Sequence, residues 1–471
     1  MKDSKNIFNQ ISSDIIIINS NKIISEDIRF DAGYYEIKNN IDINNDIEFF
    51  PLAKIATVIF PGIFKRNLTE NRKYGIKFLT TSDIMMIEPA SEKYLSTQLT
   101  SNIDIYSVSD NTLLVSRSGS IGNTIYLDNR LKDFAITEDA LRVKPFENDE
   151  IGFLYFYFTS EYGNDLITGK KSGAVIDHIY EEDLLKLKIP LLKSESRKIL
   201  NGYFYKVKKD REEAHLLIEK ARILILEYNN LPPLSDTDIE TRDPEKETQI
   251  RITNTSEFTD DYRLDAHFYN PIVKKVEENI KQFSEINKTL SDLTSDIILG
   301  KRFKRNYVES DFGTPFLSGK NIIQIRPSDI KHLSDSEISF IDELLIKKNW
   351  TLVTCSGTLG RTCFVYNNYE DYAASQHILR VVPNEKEIDA GYLYCFLSTD
   401  YGFHQIIKYK YGSVIDEIDD KNIANVLIPI PTESQQKEIG DLVRQAYDLR
   451  AEAIRLEDEA QELLTKELTK E

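Results

Sequence analysis

Residues 64–67 read Phe64-Lys-Arg-Asn67, and the same four residues return unchanged at 303–306, 239 positions later. Other short stretches return in the same order at nearly the same separation. The matched pairs are Asp27 to Tyr35 with Asp261 to Tyr269, Ser118-Gly-Ser-Ile-Gly122 with Ser356-Gly-Thr-Leu-Gly360, Leu141-Arg-Val143 with Leu379-Arg-Val381, Glu161-Tyr-Gly163 with Asp400-Tyr-Gly402, and Gly173-Ala-Val-Ile-Asp177 with Gly412-Ser-Val-Ile-Asp416. A conserved order at a long period predicts a tandem duplication, in which each copy is a domain with its own core.

The size and composition agree with two folded domains. The chain has 471 residues, about three times the ~150 residues of a typical domain. Hydrophobic residues make up 41% of the sequence, and its 25 Tyr and 23 Phe supply ample core material. The three cysteines are too few for a disulfide framework, and the sequence has no signal peptide or membrane span. We therefore expect a cytoplasmic protein with no membrane partner.

Each copy contains both strand-like and helix-like stretches of sequence. Leu113 to Ser116 and Leu352 to Cys355 are short β-rich runs that end in glycine turns, whereas 151–162 and 390–401 have the composition of buried helices. The repeated module is therefore predicted to be α+β.

A long heptad pattern follows each module. Apolar residues alternate at spacings of three and four from Leu200 to Tyr228, and the pattern returns in register 239 residues later, from Ile439. The seam includes Leu217, Leu224, Leu456 and Leu463. We predict two long antiparallel helices that pair with each other, separate the two globular modules and give the chain a pseudo-two-fold arrangement. The alternative is an amphipathic surface helix on each module's own core.

These patterns divide the chain into six segments. They are an N-terminal lead-in at 1–50, a first module at 51–198, a central spacer helix at 199–230, an acidic linker and second lead-in helix at 231–284, a second module at 285–437 and a C-terminal spacer helix at 438–471.

The motifs give little support for catalysis or for a bound cofactor or metal. The Ser-Gly-x-x-Gly stretches lack the lysine and the glycine spacing of nucleotide-binding loops. Cys355, Cys363 and His377 do not form a spaced metal set. Tight glycine turns beside basic residues suit contacts with phosphate, and basic residues cluster next to aromatic ones at equivalent places in both copies.

The net charge of −18 at first argues against a nucleic-acid partner. However, the segments 1–50, 231–260 and 438–471 together carry −14 of that charge. The remaining chain, which contains both modules, is nearly neutral. It is therefore compatible with DNA binding, although we expect its phosphate affinity alone to be modest.

The order of motifs in each half resembles the specificity (S) subunit of type I restriction-modification systems. Each half has Ser-Gly-x-[Ile/Leu]-Gly, a Tyr-Gly turn, Gly-[Ala/Ser]-Val-Ile-Asp, an Ile-Pro pair at 189–190 or 428–429, and then a long heptad helix. The resemblance implies two target-recognition domains, each recognising one half of a gapped double-stranded DNA sequence. It also implies that two copies of a DNA methyltransferase (M) subunit, which would carry S-adenosylmethionine, dock on the helices and that restriction (R) subunits can join. The S subunit itself would be non-catalytic and hold no cofactor.

On this basis we predict DNA contacts from polar and basic residues in both modules. In the first module they are Lys65, Arg66, Arg72, Lys73, Arg117, Ser118, Ser120, Lys170 and Lys171. In the second they are Arg302, Lys304, Arg305, Lys320, Ser356, Thr358, Arg361, Lys408, Lys410, Tyr411 and Ser413.

Two rival hypotheses stay open at this point. The duplicated modules could form a protein-interaction scaffold that does not bind DNA. Alternatively, each repeat could hold a cryptic nuclease or hydrolase site that includes Asp177 or Asp416.

Overall fold

The two copies build the same pair of four-stranded sheets, with the same strand order, in a computed structural model. The structure describes residues 43–44, 46–69, 72–91, 93–169, 177–235, 238, 263–336 and 340–469. The Asp27 to Tyr35 motif lies outside the described residues, as do Asp261 and most of the first Gly-x-Val-Ile-Asp motif.

The first module places an antiparallel sheet beside a mixed one. The antiparallel sheet has the order β2 (Ala56–Ile59), β9 (Ala140–Pro145), β6 (Leu113–Ser116) and β7 (Thr124–Tyr126). The mixed sheet has the order β3 (Leu68–Thr69), β5 (Tyr94–Ser96), β4 (Gly75–Leu79) and β8 (Ala135–Ile136), and its β4 and β8 are parallel. A two-stranded ribbon of β1 (Phe49–Pro51) and β10 (Lys188–Pro190) closes the module.

The second module repeats this topology strand for strand. Its antiparallel sheet is β12 (Thr294–Leu299), β19 (Ile378–Pro383), β16 (Thr351–Thr354) and β17 (Thr362–Phe364). Its mixed sheet is β13 (Tyr307–Val308), β15 (Lys331–Ser334), β14 (Gly313–Leu317) and β18 (Ala373–Ala374). The ribbon is β11 (Asn287–Thr289) with β20 (Leu427–Pro429). The predicted duplication of an α+β domain is confirmed.

Shorter helices accompany the sheets in both halves. In the first module they are α1 (Ile151–Thr159), α2 (Glu161–Thr168) and α3 (Glu181–Leu185). In the second half they are α5 (Pro271–Phe283), α6 (Leu290–Leu293), α7 (Ala390–Leu397), α8 (Asp400–Ile407) and α9 (Asp420–Ile423). Helices α1 and α7 are apolar on all sides, and every residue except Thr159 is buried, as expected for helices inside a core. Ser160 and Thr399 cap α2 and α8 in the same way, each accepting a hydrogen bond from a glycine N–H.

The two long predicted helices are α4 (Ser194–Tyr228) and α10 (Glu433–Leu468). They run antiparallel, because Ser196 Oγ donates to Glu467 at 2.8 Å near one end and Tyr228 donates to Glu438 at 2.6 Å near the other. Each helix spans about 50 Å at 1.5 Å per residue. The four seam leucines are buried or half-buried in the cores. Both helices begin five residues before the predicted boundaries of 199 and 438. At the start of α10, Thr432 and Gln435 form a capping box.

Each module's core is completed by the helix of the other half. The first core takes Leu200 and Phe204 from α4, but also Leu456, Leu464 and Leu468 from the end of α10. The second core takes residues from the start of α10 together with the 214–225 stretch of α4. The helices are therefore shared parts of both cores as well as connections between modules.

The modules also touch each other directly. Residues 85–88 of the first module and 323–326 of the second, which we call the central loops, occupy equivalent positions. Ile87 N donates to Ile323 O at 2.8 Å, and Ile325 N donates to Met85 O at 2.9 Å. The pseudo-two-fold arrangement thus extends to a backbone contact between the modules that the sequence analysis did not anticipate.

No helix in the described part of the chain is long and apolar enough to cross a membrane.

Candidate nucleic-acid interface

Three of the repeated motifs meet at one edge of the first module. Arg66, from the Phe-Lys-Arg-Asn arm, lies 2.9 Å from Glu138 Oε1 and 3.0 Å from Asp139 Oδ2. The backbone of Asp139 accepts a hydrogen bond from Arg117 N at 2.8 Å, and Arg117 O accepts one from Ile179 N at 3.0 Å. The arm, the Ser-Gly-x-x-Gly loop and the end of the Gly-x-Val-Ile-Asp motif therefore run side by side next to the 137–139 turn.

The second module assembles the same edge from the equivalent residues. Arg305 Nη2 donates to Gln376 Oε1 at 2.8 Å. Cys355 N donates to His377 O at 3.0 Å, and Ile418 N donates to Cys355 O at 3.0 Å. We call these surfaces the polar edges. They comprise residues 64–67, 117–120, 137–139 and 177–179 in the first module, and 303–306, 355–358, 375–377 and 416–418 in the second.

An aromatic anchor holds each arm in place. The Phe64 ring stacks on Tyr106 with centroids 3.9 Å apart, and Phe303 meets Phe340 edge-on at 5.2 Å. The arginine two residues later lies over the same sheet residue in both modules, Arg66 over Phe78 at 5.5 Å and Arg305 over Phe316 at 5.2 Å. The intervening lysines, Lys65 and Lys304, are exposed.

The glycine loops present backbone at the edge. Gly119 and Gly357 have φ of 70° and 75°, and a Cβ added at either position would meet nothing within 4 Å. Glycine is therefore required there for its left-handed backbone, and the space above it is open. The exposed Ser120 and Thr358 flank these glycines. The second glycine of each loop packs against α2 or α8 and anchors the turn.

The two edges differ in charge at their centres. Burial opposes the charge of Arg66, but Glu138 and Asp139 outweigh it and raise the pKa of the guanidinium. In the second module the equivalent positions are Gln376 and His377. Burial and the charge of Arg305 lower the pKa of His377, so its ring is neutral at pH 7. In the first edge, Glu138 and Asp139 therefore balance the charge of Arg66. In the second edge, Gln376 and His377 carry no negative charge that could balance Arg305.

A family model described as "Type I restriction modification DNA specificity domain" matches residues 44–202 and again 276–460. The chain belongs to this family. Both of its specificity domains contain a complete polar edge.

Three solved structures align with nearly the whole chain at low sequence identity. One is a type I restriction-modification S subunit from M. genitalium, with 15% identity over 91% of this chain and 98% of that one, at a TM-score of 0.37. Another is an HsdS subunit from Thermoanaerobacter tengcongensis, with 14% identity, coverage of 92% and 98%, and a TM-score of 0.28. A third comes from work on complex assembly and conformational transition of the type I R-M system, at 14% identity, coverage of 91% and 98%, and a TM-score of 0.27. No curated protein matches this chain.

Several other predicted contact residues lie on or near the polar edge of the second domain. Tyr411 exchanges backbone hydrogen bonds with Glu417 at 2.9 and 2.7 Å, which brings the 410–413 segment, including Ser413, beside the second polar edge. Arg302 is exposed and lies 3.1 Å from Glu417. Lys410 is 3.4 Å from Asp416.

Other predicted residues have structural partners instead. The Arg117 residue is only 5% exposed, and its guanidinium lies 4.4 Å from the centre of the Phe60 ring. Lys408 is largely buried and lies 2.7 Å from Glu277. Arg361 lies over Phe403, and Arg72 lies over Tyr94. Lys73 and Lys320 are exposed at positions outside the polar edges. Lys170 and Lys171 lie outside the described residues.

Sequence reasoning missed the 137–139 and 375–377 turns. They precede the matched Leu-Arg-Val stretches by two residues, so the repeat alignment could have placed them at equivalent positions. The residues themselves differ, Thr-Glu-Asp against Ser-Gln-His. Because the side chains are not identical in the two copies, the sequence repeat does not reveal this part of the site.

One group of three possible metal ligands occurs within the described residues, namely Glu88, His215 and Glu219. Cations of the protein already occupy its oxygens, because Arg222 lies 2.5 Å from Glu219 and Arg450 lies 2.6 Å from Glu88. The arrangement is thus an ion-pair cluster. The three cysteines are buried, and burial raises the pKa of each thiol to about 12.

Proposed function

We propose that this chain is a sequence-specific DNA-binding specificity subunit that recognises a gapped, bipartite duplex. Each polar edge recognises one half-site, and the paired helices hold methyltransferase and restriction subunits beside it. The observation that carries this proposal is the assembly of the same three motifs into the same edge in both specificity domains. A duplicated surface that keeps its backbone but changes its side chains suits recognition of two different half-sites.

The edge chemistry fits base recognition in the major groove. Arginine pairs with guanine, glutamine with adenine, and a carboxylate accepts from the amino group of cytosine. Arg66, Asp139, Arg305 and Gln376 supply these groups from a packed framework. Exposed lysines such as Lys65 and Lys304 are suited to phosphate contacts, which set register without selecting sequence.

The outer face of α4 suits a protein partner. Tyr205, Leu216 and Ile223 are 46%, 62% and 55% exposed on a helix whose opposite face is buried against α10. Apolar side chains that remain exposed along one face of a long helix are suited to contact with a protein partner. We propose that two methyltransferase subunits, which would carry the S-adenosylmethionine, dock along the helix pair. We assign the methylation chemistry to these partners and none to this chain.

Methylation mapping tests the function directly. The chain would be co-expressed with its methyltransferase partner in a host lacking other methylation, and methylated sites would be mapped by long-read sequencing. We expect one bipartite motif, which is absent when this chain is omitted. Replacement of residues 51–198 by the equivalent module of a relative should change only one half of that motif.

Failure to bind or direct methylation to any DNA would instead favour the protein scaffold. Metal-dependent cleavage by the purified chain, lost in Asp177→Ala and Asp416→Ala, would favour the cryptic enzyme.

A further inference from the structure

The central loops carry opposite charges at equivalent positions. Glu88 ends the loop of the first domain, and Arg326, 238 residues later, ends the loop of the second. The backbone hydrogen bonds between Ile87 and Ile323 and between Ile325 and Met85 hold the two loops together immediately before these charges. Each charged side chain then reaches the helix pair.

Glu88 connects the first domain to the parts of α4 and α10 that complete the core of the second domain. Its carboxylate lies 2.6 Å from Arg450 Nη2, 3.2 Å from His215 Nδ1 and 3.5 Å from Arg222 Nη1. His215 and Arg222 belong to the part of α4 whose buried residues complete the second core. One side chain of the first domain therefore has three cationic or imidazole partners on the far side of the domain boundary.

Arg326 makes the reciprocal connection. It lies 3.1 Å from Glu457 and 2.5 Å from Asp458, both on the part of α10 that completes the first core. Glu457 also lies 2.8 Å from Arg211 and accepts a hydrogen bond of 2.6 Å from Tyr155 OH of the first domain. Pulling the domains apart would break both connections at once.

We propose that Glu88 and Arg326 are positioning residues that fix the separation of the two polar edges and so set the gap length of the DNA target. This inference rests on the proposed recognition of a bipartite duplex. Adding one base pair to the gap moves one half-site by about 3.4 Å along the DNA and rotates it about the axis. Ion pairs of 2.5–3.5 Å would break under such a displacement. We call the ion pairs of Glu88 and Arg326 the clasp, and we expect a chain with an intact clasp to reject the altered gap.

This role is tested by measuring which gap lengths are accepted by variants that lack the clasp ion pairs. The double variant Glu88→Gln with Arg326→Gln would be assembled with the methyltransferase partner and assayed on duplexes with the native gap and with gaps one base pair shorter or longer. We expect the preference for the native gap to fall by about tenfold or more while both half-site sequences stay the same. Lys206→Gln is the matched control, because it removes an exposed 2.9 Å ion pair to Glu452 that joins the same two helices but neither loop.

A distance measurement tests the clasp without DNA. Lys132 and Lys386 are exposed positions in the two domains. Spin labels attached to the cysteines of a Lys132→Cys, Lys386→Cys variant would report the interdomain distance by pulsed electron paramagnetic resonance. We expect one narrow distribution in the parent chain and in Lys206→Gln, and a broadened one in the double variant. If the double variant does not fold, Asp458→Asn removes only the more exposed half of the Arg326 connection and serves in its place.

The outcomes separate the two proposals. Loss of all methylation by the parent complex would overturn the proposed function but leave the distance measurement as a test of the clasp. A distribution of unchanged width, or a broadened one with unchanged gap preference, would overturn the positioning role.

Discussion

Arg305 Nη2 donates a hydrogen bond of 2.8 Å to Gln376 Oε1, at the position where the first domain sets Arg66 against the carboxylate of Glu138. Glu138→Gln should therefore release positive charge at the first edge and increase overall DNA affinity. The slope of log affinity against log salt should steepen by up to about 0.9, the value for one additional phosphate contact. Fluorescence anisotropy of the complex with its methyltransferase, titrated at several salt concentrations, measures both quantities.

The reciprocal substitution Gln376→Glu should weaken binding and flatten the salt slope. Glu285→Gln is the control, because it removes an exposed acid that lies outside both polar edges. Equal effects of Glu138→Gln and Glu285→Gln would show that only net charge matters, contrary to the role assigned to the edge.

The features that could be predicted from the sequence are those that leave a periodic pattern of apolar residues or identical residues in the two copies. The heptad spacing predicted the helix pair and its seam at Leu217 and Leu456, because burial on one helix face imposes a period on the sequence. The central loops meet through backbone hydrogen bonds, which impose no side-chain pattern. Arg66 meets Glu138 across 72 residues of sequence, a contact that only the folded sheet defines. Arg117 is adjacent to a polar loop in sequence, yet its side chain turns inward over Phe60.

The shared cores predict that damage to one helix end will affect the domain of the other half. Leu464, near the end of α10, is fully buried in the first core. Leu464→Ala should cost about 3 kcal/mol by leaving a cavity. Hydrogen exchange should accelerate in β6 and β9 of the first domain and stay unchanged in β16 and β19 of the second. Ile225→Ala in α4 should give the opposite pattern, and faster exchange confined to α10 would contradict the sharing of cores.

A close helix crossing predicts opposite effects for two glycines. A Cβ added to Gly391 in α7 would lie 2.8 Å from the Cα of Gly440 in α10, so the two backbones touch. Gly391→Ala should force the helices apart and destabilise the chain by about 1–3 kcal/mol. Gly202 in α4 has nothing within 4 Å of an added Cβ. Gly202→Ala should therefore stabilise the chain by about 0.5–1 kcal/mol through its higher helix propensity. Denaturant midpoints of the two variants measure the difference, and destabilisation by both would show that the crossing is not the cause.

The buried acid of the helix pair predicts a defined pH dependence. Glu457 is 2% exposed, and although burial raises its pKa, Arg211 and Arg326 outweigh burial and lower the pKa below the ordinary value of 4.5. A lowered folded-state pKa means that the stabilisation is complete above the unfolded-state value and is lost as the pH falls through the folded-state value. Glu457→Gln should thus cost about 3 kcal/mol at pH 7, because it leaves two arginines without their buried partner.

That cost should shrink progressively below pH 4.5, because the carboxylate of the parent chain becomes protonated while the amide of the variant does not titrate. Denaturant unfolding of both chains at pH 7, 5, 4 and 3 measures the convergence. Glu452→Gln, which removes an acid from a surface ion pair on the same helix, should cost less than about 1 kcal/mol at pH 7. A pH-independent cost for Glu457→Gln would mean that its carboxylate stabilises the fold by packing and hydrogen-bond geometry, with no contribution from its charge.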